Sequence, residues 1–319
     1  MRPTGKLHLG HLEGVLKSYV EMQENYRAFY MVADWHALTT DYENPGGTYE
    51  SSVEMFKDWL SVGINPEKAV MFIQSAVREH AELYLLLGML TPVPWLERNP
   101  TYKEQKQELK EKDLSTYGFL GYPVLQAADI LIYKADKVPI GEDQRPHLEL
   151  TREIARRFNH LYGSGFFPEP KEILTKFPKL PGIDGRKMSK SYGNALYLTD
   201  DEKTVEEKAR NMFTDPKKTR KNDPGNPDNC VVCAFHRVYN AGNSEAVISG
   251  CKKGERGCVD CKKELAVVLN AALEPIRRKR AEVDADPGRV NDIIRDGNSR
   301  AAKAAAETMD GVRKLMKLG

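Results

Sequence analysis

The sequence has little net charge, no long apolar run and no cysteine in its first two thirds, and these shortages exclude several classes of protein. Lys and Arg number 48 against 46 Asp and Glu, so a net charge of +2 excludes a uniformly basic nucleic-acid coat. No apolar stretch approaches the ~20 residues that a membrane span needs. Close to the first residue, histidines and a glutamate interrupt the apolar core that a signal peptide requires. We therefore expect a cytoplasmic protein with no membrane partner.

The first part of the chain alternates short apolar runs with helical patterns. Runs typical of buried strands cover residues 29–34, 69–74 and 138–141, and helical patterns cover residues 47–62, 79–90 and 125–133. This alternation predicts an α/β fold with a parallel sheet that binds ligands at the carboxyl ends of its strands. After residue 199 the pattern is helical, at residues 232–240, 265–280 and 301–318. The length fits two domains, which we place at residues 1–199 and 200–319.

A lysine-rich loop at Lys187-Met188-Ser189-Lys190-Ser191 is the strongest chemical signal. Glycines on both sides, Gly185 and Gly193, let the backbone fold over a ligand and move away again. Two ammonium groups three residues apart can clamp the charge of a transferring phosphoryl group. The loop therefore predicts phosphoryl chemistry.

A second motif lies near the first residue, where Arg2-Pro3-Thr4-Gly5 is followed by His8-Leu9-Gly10-His11. The histidines come at the start of an apolar pattern typical of a helix. Free N–H groups and the dipole at a helix amino terminus both favour an anion there. The motif predicts a site for nucleotide phosphates.

These motifs, in this order, resemble those of the class I aminoacyl-tRNA synthetases, and Gly141-Glu142-Asp143-Gln144 narrows the resemblance to the tryptophanyl family. The resemblance covers essentially the whole chain. It implies a Rossmann-type nucleotide-binding domain that carries the mobile lysine loop, followed by an all-helical anticodon-binding domain. It also implies that L-tryptophan is activated with ATP and Mg²⁺, with release of pyrophosphate, and then transferred to tRNA(Trp). Family members work as homodimers, in which the segment 96–112 would lie near the two-fold axis.

The resemblance assigns roles to individual residues. The catalytic residues would be His8, His11, Lys187 and Lys190. The ATP site would comprise Arg2, Pro3, Thr4, Gly10, His11, Gly141, Glu142, Asp143, Lys187, Met188, Ser189, Lys190 and Ser191. The tryptophan site would comprise Tyr122, Gln126, Asp129, Val138, Ile140 and Gln144. In that pocket Asp129 would accept the indole N–H, and Tyr122 and Gln144 would hold the α-amino group.

The family also places a short strand just before the Met-Arg-Pro-Thr-Gly turn, whereas this sequence starts within the turn. A strand of ~5–6 residues is therefore expected to be missing from the centre of the sheet. A start codon assigned too far downstream and a true truncation would both produce this pattern.

All five cysteines lie in one short stretch, which predicts a metal site better than a set of disulfides. A four-iron, four-sulfur cluster, which some tryptophanyl enzymes carry, would use Cys230, Cys251, Cys258 and Cys261, with Cys233 as the rival first ligand. A zinc ion would use the pairs Cys230/Cys233 and Cys258/Cys261. Unliganded cysteines are the third alternative.

Four basic runs in the last third, at residues 217–221, 252–253, 262–263 and 277–280, predict contact with a polyanion such as tRNA. Two other functions stay open from sequence alone. One is a relative that activates tyrosine. The other is a catalytically silent paralogue that binds RNA or senses a metal.

Overall fold

The structure is a computed structural model that describes residues 1–3, 5–100, 115–174 and 180–318. Two predictions fall wholly or partly outside the described residues: the ATP contact of Thr4 and, from residue 101 onward, the dimer segment. The helices are α1 (Leu9–His11), α2 (Lys17–Met22), α3 (Asp34–Asp41), α4 (Thr48–Ser61), α5 (Glu79–Leu90), α6 (Val93–Glu97), α7 (Tyr117–Leu131), α8 (Arg145–Tyr162), α9 (Glu202–Asn211), α10 (Val231–Tyr239), α11 (Ser244–Lys252), α12 (Cys258–Asp284) and α13 (Pro287–Met316). A π-helical turn, Leu12–Leu16, joins α1 to α2.

Four short strands form two parallel pairs. β1 (Ala28–Val32) pairs with β2 (Ala69–Ile73), in register from Ala28 opposite Ala69. β3 (Lys137–Ile140) pairs with β4 (Lys171–Leu174). The parallel α/β architecture and the three predicted strands are confirmed. The sequence analysis missed β4, because Lys171 and Glu172 remove the apolar character that marks a buried strand.

A cavity separates the two pairs of strands. Within the described residues β1 and β3 share no ladder hydrogen bonds, and both border a cavity of about 860 Å³. Met1 lies along β1, where its amino group donates to the Met31 carbonyl at 2.6 Å and its carbonyl accepts from the Ala33 N–H at 2.7 Å. The carboxyl ends of β1 and β3 therefore face one shared space.

Both faces of β2 are buried, and helices cover them. Ala69, Met71 and Ile73 share a core with α4, whereas Val70 and Phe72 share one with α5, α7 and α13. The long helix α13 packs so closely on β2 that a β-carbon at Gly297 would lie 1.7 Å from the Met71 carbonyl oxygen. The final helix thus returns from the helical half to the sheet, and hydrophobic packing is continuous across the predicted boundary near residue 200. That boundary stays a prediction.

No helix within the described ranges has the length and apolar character needed to cross a lipid bilayer.

Candidate active site

Backbone hydrogen bonds bring residues 8–11, the histidine turn, beside residues 187–191, the lysine loop. The Leu9 N–H donates to the Leu196 carbonyl at 2.8 Å, and the Leu198 N–H donates to the Leu7 carbonyl at 3.0 Å. His8 and Tyr197 form an antiparallel bridge between these contacts. Leu196 lies shortly after the lysine loop, so these hydrogen bonds bring the two predicted motifs close together.

The two histidines of the turn stack on each other. Their ring centroids are 3.7 Å apart, and the His8 backbone N–H donates to His11 Nδ1 at 3.2 Å. Burial, aided by the nearby Lys190 cation, lowers the pKa of His8 to about 4. Burial and the neighbouring His8 lower the pKa of His11 to about 3. Both rings are therefore neutral at pH 7 and can donate hydrogen bonds to phosphate without acting as cations.

Lys190 points towards this turn, whereas Lys187 is exposed. A β-carbon at Gly5 would lie 3.5 Å from Lys190 Nζ, so the ammonium approaches the turn that precedes the histidines. Burial lowers the pKa of Lys190 to about 8, and the Asp58 carboxylate opposes that shift. Lys190 therefore supplies a poised positive charge beside two neutral imidazoles.

The two motifs also touch through Met188. A β-carbon at Gly10 would lie 3.0 Å from the His8 ring and 3.6 Å from Met188 Sδ, so any larger residue there would press on the His8 ring. Ser189 and Ser191 share a hydroxyl hydrogen bond of 2.8 Å at the edge of the loop.

Asn194 holds the lysine loop together, and the sequence analysis missed it. Its Oδ1 accepts the Ser189 N–H at 2.8 Å, and its Nδ2 donates to Asp184 Oδ1 at 2.7 Å and to the Lys187 carbonyl at 3.2 Å. The side chain is 2% exposed, and a β-carbon at Gly182 would collide with it. One amide thus fixes both arms of the loop. An Asn after a glycine gave no sequence signal beyond a turn.

The cavity between β1 and β3 gathers all six residues predicted to bind tryptophan. They are Tyr122, Gln126, Asp129, Val138, Ile140 and Gln144. Three elements supply them, because α7 carries the first three, β3 carries the next two, and the last follows β3. Arg2 and Gly141 of the predicted ATP site line the same cavity. Pro3 is buried, and Glu142 and Asp143 are exposed on the short turn after β3.

Asp129 is the buried charge of this cavity. It accepts hydrogen bonds from His36 Nε2 at 2.7 Å, from His80 Nδ1 at 2.6 Å and from Gln74 Nε2 at 2.8 Å. Burial raises the pKa of Asp129, but the bonds from His36 and His80 outweigh it and hold the pKa at about 2. The group is therefore an ionised acceptor at neutral pH. These three donors already use much of the capacity of the carboxylate, so an indole N–H would share an oxygen with them.

The sequence analysis missed the residues around Asp129, namely His36, Gln74 and His80. His36 and Gln74 follow the carboxyl ends of β1 and β2, where ligand-binding side chains are expected in a parallel sheet. Their positions after these strands could therefore have identified both residues as candidate site residues. His80 gave none, because it lies inside α5, where its Nε2 meets the Tyr133 hydroxyl at 2.8 Å.

Tyr122 is fixed by a buried histidine. Its hydroxyl lies 2.6 Å from His147 Nε2, and Asn99 Nδ2 lies 3.2 Å from His147 Nδ1. Burial lowers the pKa of His147 to about 4, so the ring is neutral. The neutral ring therefore adds no positive charge beside Tyr122 that would repel an ammonium group.

The five cysteines surround a second, small cavity. Four of them are buried, Cys258 is half-buried, and none forms a disulfide. Their side chains line about 20 Å³ together with Lys218 and Arg256, and no carboxylate lines it. This volume holds about one water-sized species. Within the described residues, no three His, Cys, Asp or Glu side chains are arranged closely enough to form a metal site. A metal would therefore require the thiols to reorient around it.

The cysteine cavity adjoins the base of the lysine loop. The Phe213 N–H donates to the Ile183 carbonyl at 2.7 Å, and the Val231 N–H donates to the Phe213 carbonyl at 3.1 Å. Val231 follows Cys230 and starts α10. Two backbone hydrogen bonds thus connect Ile183, which precedes the lysine loop, to Val231 at the start of α10. The two regions therefore lie close together in space although they are far apart in the sequence.

Three members of the basic runs are used inside the protein. Lys218 is buried and donates to the Lys221 carbonyl at 2.9 Å. Arg277 bonds to the Asp200 carbonyl at 3.2 Å, and Arg280 is buried against acidic residues of α4. The prediction that whole runs face a polyanion is therefore wrong for these three side chains. Exposed cations that remain are Lys217, Arg220, Lys221, Lys252, Lys253, Lys263, Arg278 and Lys279.

Comparison with known proteins gives consistent matches along the chain. A family model described as "tRNA synthetases class I (W and Y)" matches residues 1–274. The tryptophan–tRNA ligase of Thermotoga maritima is 54% identical, over 100% of this chain and 98% of its own length. That of Aquifex aeolicus is 44% identical, over 100% and 98%. The tryptophanyl-tRNA synthetase of Campylobacter jejuni, solved with ADP and tryptophan, superposes with a TM-score of 0.87 at 32% identity, covering 100% of this chain and 98% of that one.

The amide that holds the lysine loop can be tested without any assay of function. We expect Asn194→Ala to accelerate trypsin cleavage after Arg186, Lys187 or Lys190 about tenfold, because it removes three buried hydrogen bonds. Mass spectrometry of the fragments measures the rate at each site. Asn25→Ala removes an exposed amide that bonds only to the Glu21 carbonyl, at 3.4 Å, and should leave the cleavage unchanged. Equal cleavage of the Asn194 variant and the unmodified protein would contradict the role of this residue.

Proposed function

The chain belongs to the class I tRNA synthetases for tryptophan and tyrosine, and from this premise we propose that it is a tryptophan–tRNA ligase acting in the cytoplasm. The reaction joins L-tryptophan to the α-phosphorus of ATP, releases pyrophosphate and transfers the aminoacyl group to tRNA(Trp). One observation supports this proposal above the others. Six side chains that suit tryptophan, with ionised Asp129 among them, line one cavity that also contains Arg2 and Gly141.

We propose that ATP binds and reacts at the histidine turn and the lysine loop. His8 and His11 are neutral and would donate to phosphate oxygens, while the Lys190 ammonium would stabilise charge that grows on the leaving pyrophosphate. Exposed Lys187 would join when the loop closes over the nucleotide. Met188, Ser189 and Ser191 would shape that loop, and the glycine at position 10 leaves space for the nucleotide. Mg²⁺ bound to the phosphates would neutralise further charge.

The amino-acid half is proposed for the cavity between β1 and β3. Asp129 would accept the indole N–H, a bond that phenylalanine cannot make. Tyr122 and Gln144 would hold the α-amino group, with Gln126, Val138 and Ile140 forming the walls of the pocket. Three donors fix the Asp129 carboxylate in advance, so little ordering is left for the moment of binding.

Binding of tRNA(Trp) is proposed for residues 200–319, the helical half. The exposed cations at Lys252, Lys253 and Lys263 come from two adjacent helices, α11 and α12. Lys217, Lys221, Arg278 and Lys279 add to the same half. Such clusters attract the phosphate backbone in a salt-dependent manner.

A thiolate-bound metal is proposed for the cysteine cavity. Five cysteines from α10, α11 and α12 converge there, and Lys218 and Arg256 would balance the negative charge of thiolates. One zinc ion and a four-iron, four-sulfur cluster are the two forms of this proposal, and each would need the cysteine side chains to reorient. In either form the metal would cross-link the three helices.

A symmetric homodimer is proposed through an apolar patch formed by Leu85, Met89, Val93 and Tyr117. These four side chains are between 52% and 72% exposed. Leu85 and Met89 lie one turn apart on α5, and a β-carbon at Gly88 would lie 3.7 Å from the Tyr117 hydroxyl, so α5 and α7 form one surface. Val93 starts α6, which leads towards the segment predicted to form the dimer. Exposed apolar groups of this kind are typical of a protein interface.

The substrate assignment is tested by ATP–pyrophosphate exchange. We expect exchange with tryptophan to exceed exchange with tyrosine, and to exceed exchange with phenylalanine by about 10⁴ in kcat/KM, because phenylalanine leaves the buried Asp129 acceptor unpaired. Asp129→Asn should lower the tryptophan value at least roughly a hundredfold while ATP binding stays within about twofold. Asp136→Asn alters an exposed carboxylate at the cavity rim and serves as the control. A preference for tyrosine, or full tryptophan activity in Asp129→Asn, would refute the assignment.

Lys190 predicts an alkaline limit to activation. Its cationic form is complete well below pH 8 and is lost as the pH rises through about 8, so kcat/KM for ATP should fall above that pH. Lys190→Arg should abolish this decline, because a guanidinium stays protonated. Lys190→Ala should lower kcat about a hundredfold at pH 7. A pH profile of Lys190→Arg that matches the unmodified enzyme and the control Lys303→Arg would remove Lys190 from the mechanism.

Two serine variants decide the form of the metal site. Cys251→Ser should abolish a cluster on Cys230, Cys251, Cys258 and Cys261 but spare zinc on Cys230, Cys233, Cys258 and Cys261. Cys233→Ser should do the reverse. Elemental analysis of anaerobically purified protein should return either about four iron and four sulfide, or one zinc, per chain. Protein purified without any bound metal would refute the site and leave the ligase assignment standing.

The dimer is tested by light scattering at micromolar concentration. Val93→Glu places a charge in the centre of the apolar patch and should shift the protein from dimer to monomer, since an unpaired buried carboxylate is strongly unfavourable. Val267→Glu makes the same change at an exposed valine of α12 and should leave the dimer intact. A monomeric unmodified protein would contradict the proposal.

A further inference from the structure

Arg280 lies at the far end of α12, where this helix leaves the cysteine cavity and packs against α4 of the α/β half. The side chain is 9% exposed in the folded chain. Its Nη1 donates to Asp58 Oδ1 at 2.5 Å, its Nε donates to Asp284 Oδ2 at 2.9 Å, and its Nη2 contacts Glu54. A guanidinium so enclosed by carboxylates is a fixed structural charge rather than a surface cation available to tRNA.

Asp58 connects Arg280 to the histidine turn. It is 2% exposed, and its second oxygen, Oδ2, accepts the backbone N–H of Leu7 at 3.0 Å. Leu7 directly precedes His8. A single carboxylate therefore bonds to a helical-half arginine with one oxygen and to the backbone of the histidine turn with the other.

The same carboxylate acts on Lys190. Three acids, Glu54, Asp58 and Asp284, are in contact with two cations, Arg280 and Lys57. One negative charge therefore exceeds the local positive charge, and Asp58 is the acid whose field favours the charged form of Lys190. Loss of Arg280 would leave Asp58 free to draw Lys190 inward and to rotate away from Leu7.

We propose that Arg280 is a positioning residue for ATP, acting through Asp58 to hold Leu7 and the adjoining histidine turn in the geometry that binds phosphates. Arg280 does not touch the substrate. Its effect passes along two hydrogen bonds, one from Arg280 to Asp58 and one from the Leu7 N–H to Asp58. The tryptophan cavity contains none of Arg280, Asp58 or Leu7, so its affinity is expected to stay unchanged.

The test compares ATP with tryptophan in pyrophosphate exchange, and this arm rests on the proposed function. Arg280→Gln should raise KM for ATP about tenfold and leave KM for tryptophan within about twofold. Arg280→Lys keeps the positive charge but loses the several N–H donors of the guanidinium. Its KM for ATP should therefore lie between those of the unmodified protein and Arg280→Gln. Asp58→Asn combined with Arg280→Gln should cost no more than the worse single change, because both act on one contact.

Arg313→Gln is the matched control. Its guanidinium also joins a carboxyl-terminal helix to the α/β half, through Glu82 at 2.8 Å, but its neighbours Val312 and Leu83 belong to a different hydrophobic core from Leu7. It should leave both KM values unchanged. Thermal unfolding of every variant identifies any variant that fails to fold. If Arg280→Gln fails to fold, Arg280→Lys is compared with the unmodified protein instead.

Calorimetric titration with ATP provides a readout that is independent of turnover. A tenfold weaker ATP affinity in Arg280→Gln supports the proposal even if exchange with both amino acids is absent, which would refute only the ligase assignment. Unchanged ATP affinity in a folded Arg280→Gln protein overturns it. So does an equal rise of both KM values, or an equal effect of Arg313→Gln, since either result indicates a general loss of stability.

Discussion

The candidate active site depends on one backbone contact between distant parts of the chain, the pairing of residues 7–9 with residues 196–198. Neither segment forms a regular strand. Because buried N–H and C=O groups must be paired, this contact is fixed once Leu7, Leu9, Leu196 and Leu198 are buried. It carries the lysine loop to the histidine turn, and every electrostatic effect among His8, His11 and Lys190 follows from that proximity.

The sequence predicted the parts of this site whose signals are local. Apolar runs located β1, β2 and β3, and the family resemblance placed Tyr122, Asp129 and Gln144, which the structure brings around one cavity. The cysteines also line one cavity, but within the described residues they are not arranged as a metal site, so the metal site stays a prediction. The strand and motif signals share a cause, because strand periodicity and short motifs are properties of a few neighbouring residues.

Residues that act through long-range contacts gave no such signal. Asn194 reads as an ordinary turn residue, yet it bonds to both arms of the lysine loop. Arg280 reads as one cation in a basic run, and only the packing of α12 on α4 reveals its acidic surroundings. Lys218 likewise bonds inward to the Lys221 carbonyl, and Arg277 bonds to the Asp200 carbonyl. Charge in a sequence therefore predicts a surface only when the helix faces are known.

The histidine turn and the Asp129 cavity lie in opposite electrostatic settings, and buried partners maintain both. At the histidine turn, burial and the Lys190 cation lower the pKa of both His8 and His11, and Asp58 favours the charged form of Lys190. In the cavity, Asp129 stays ionised because imidazoles bond to it. Asp58 is supported differently, by Arg280 at the end of a helix that begins with Cys258 and includes Cys261. The single helix α12 thus reaches from these two thiols to the arginine that bonds to Asp58, and it connects the cysteine cavity with the histidine turn.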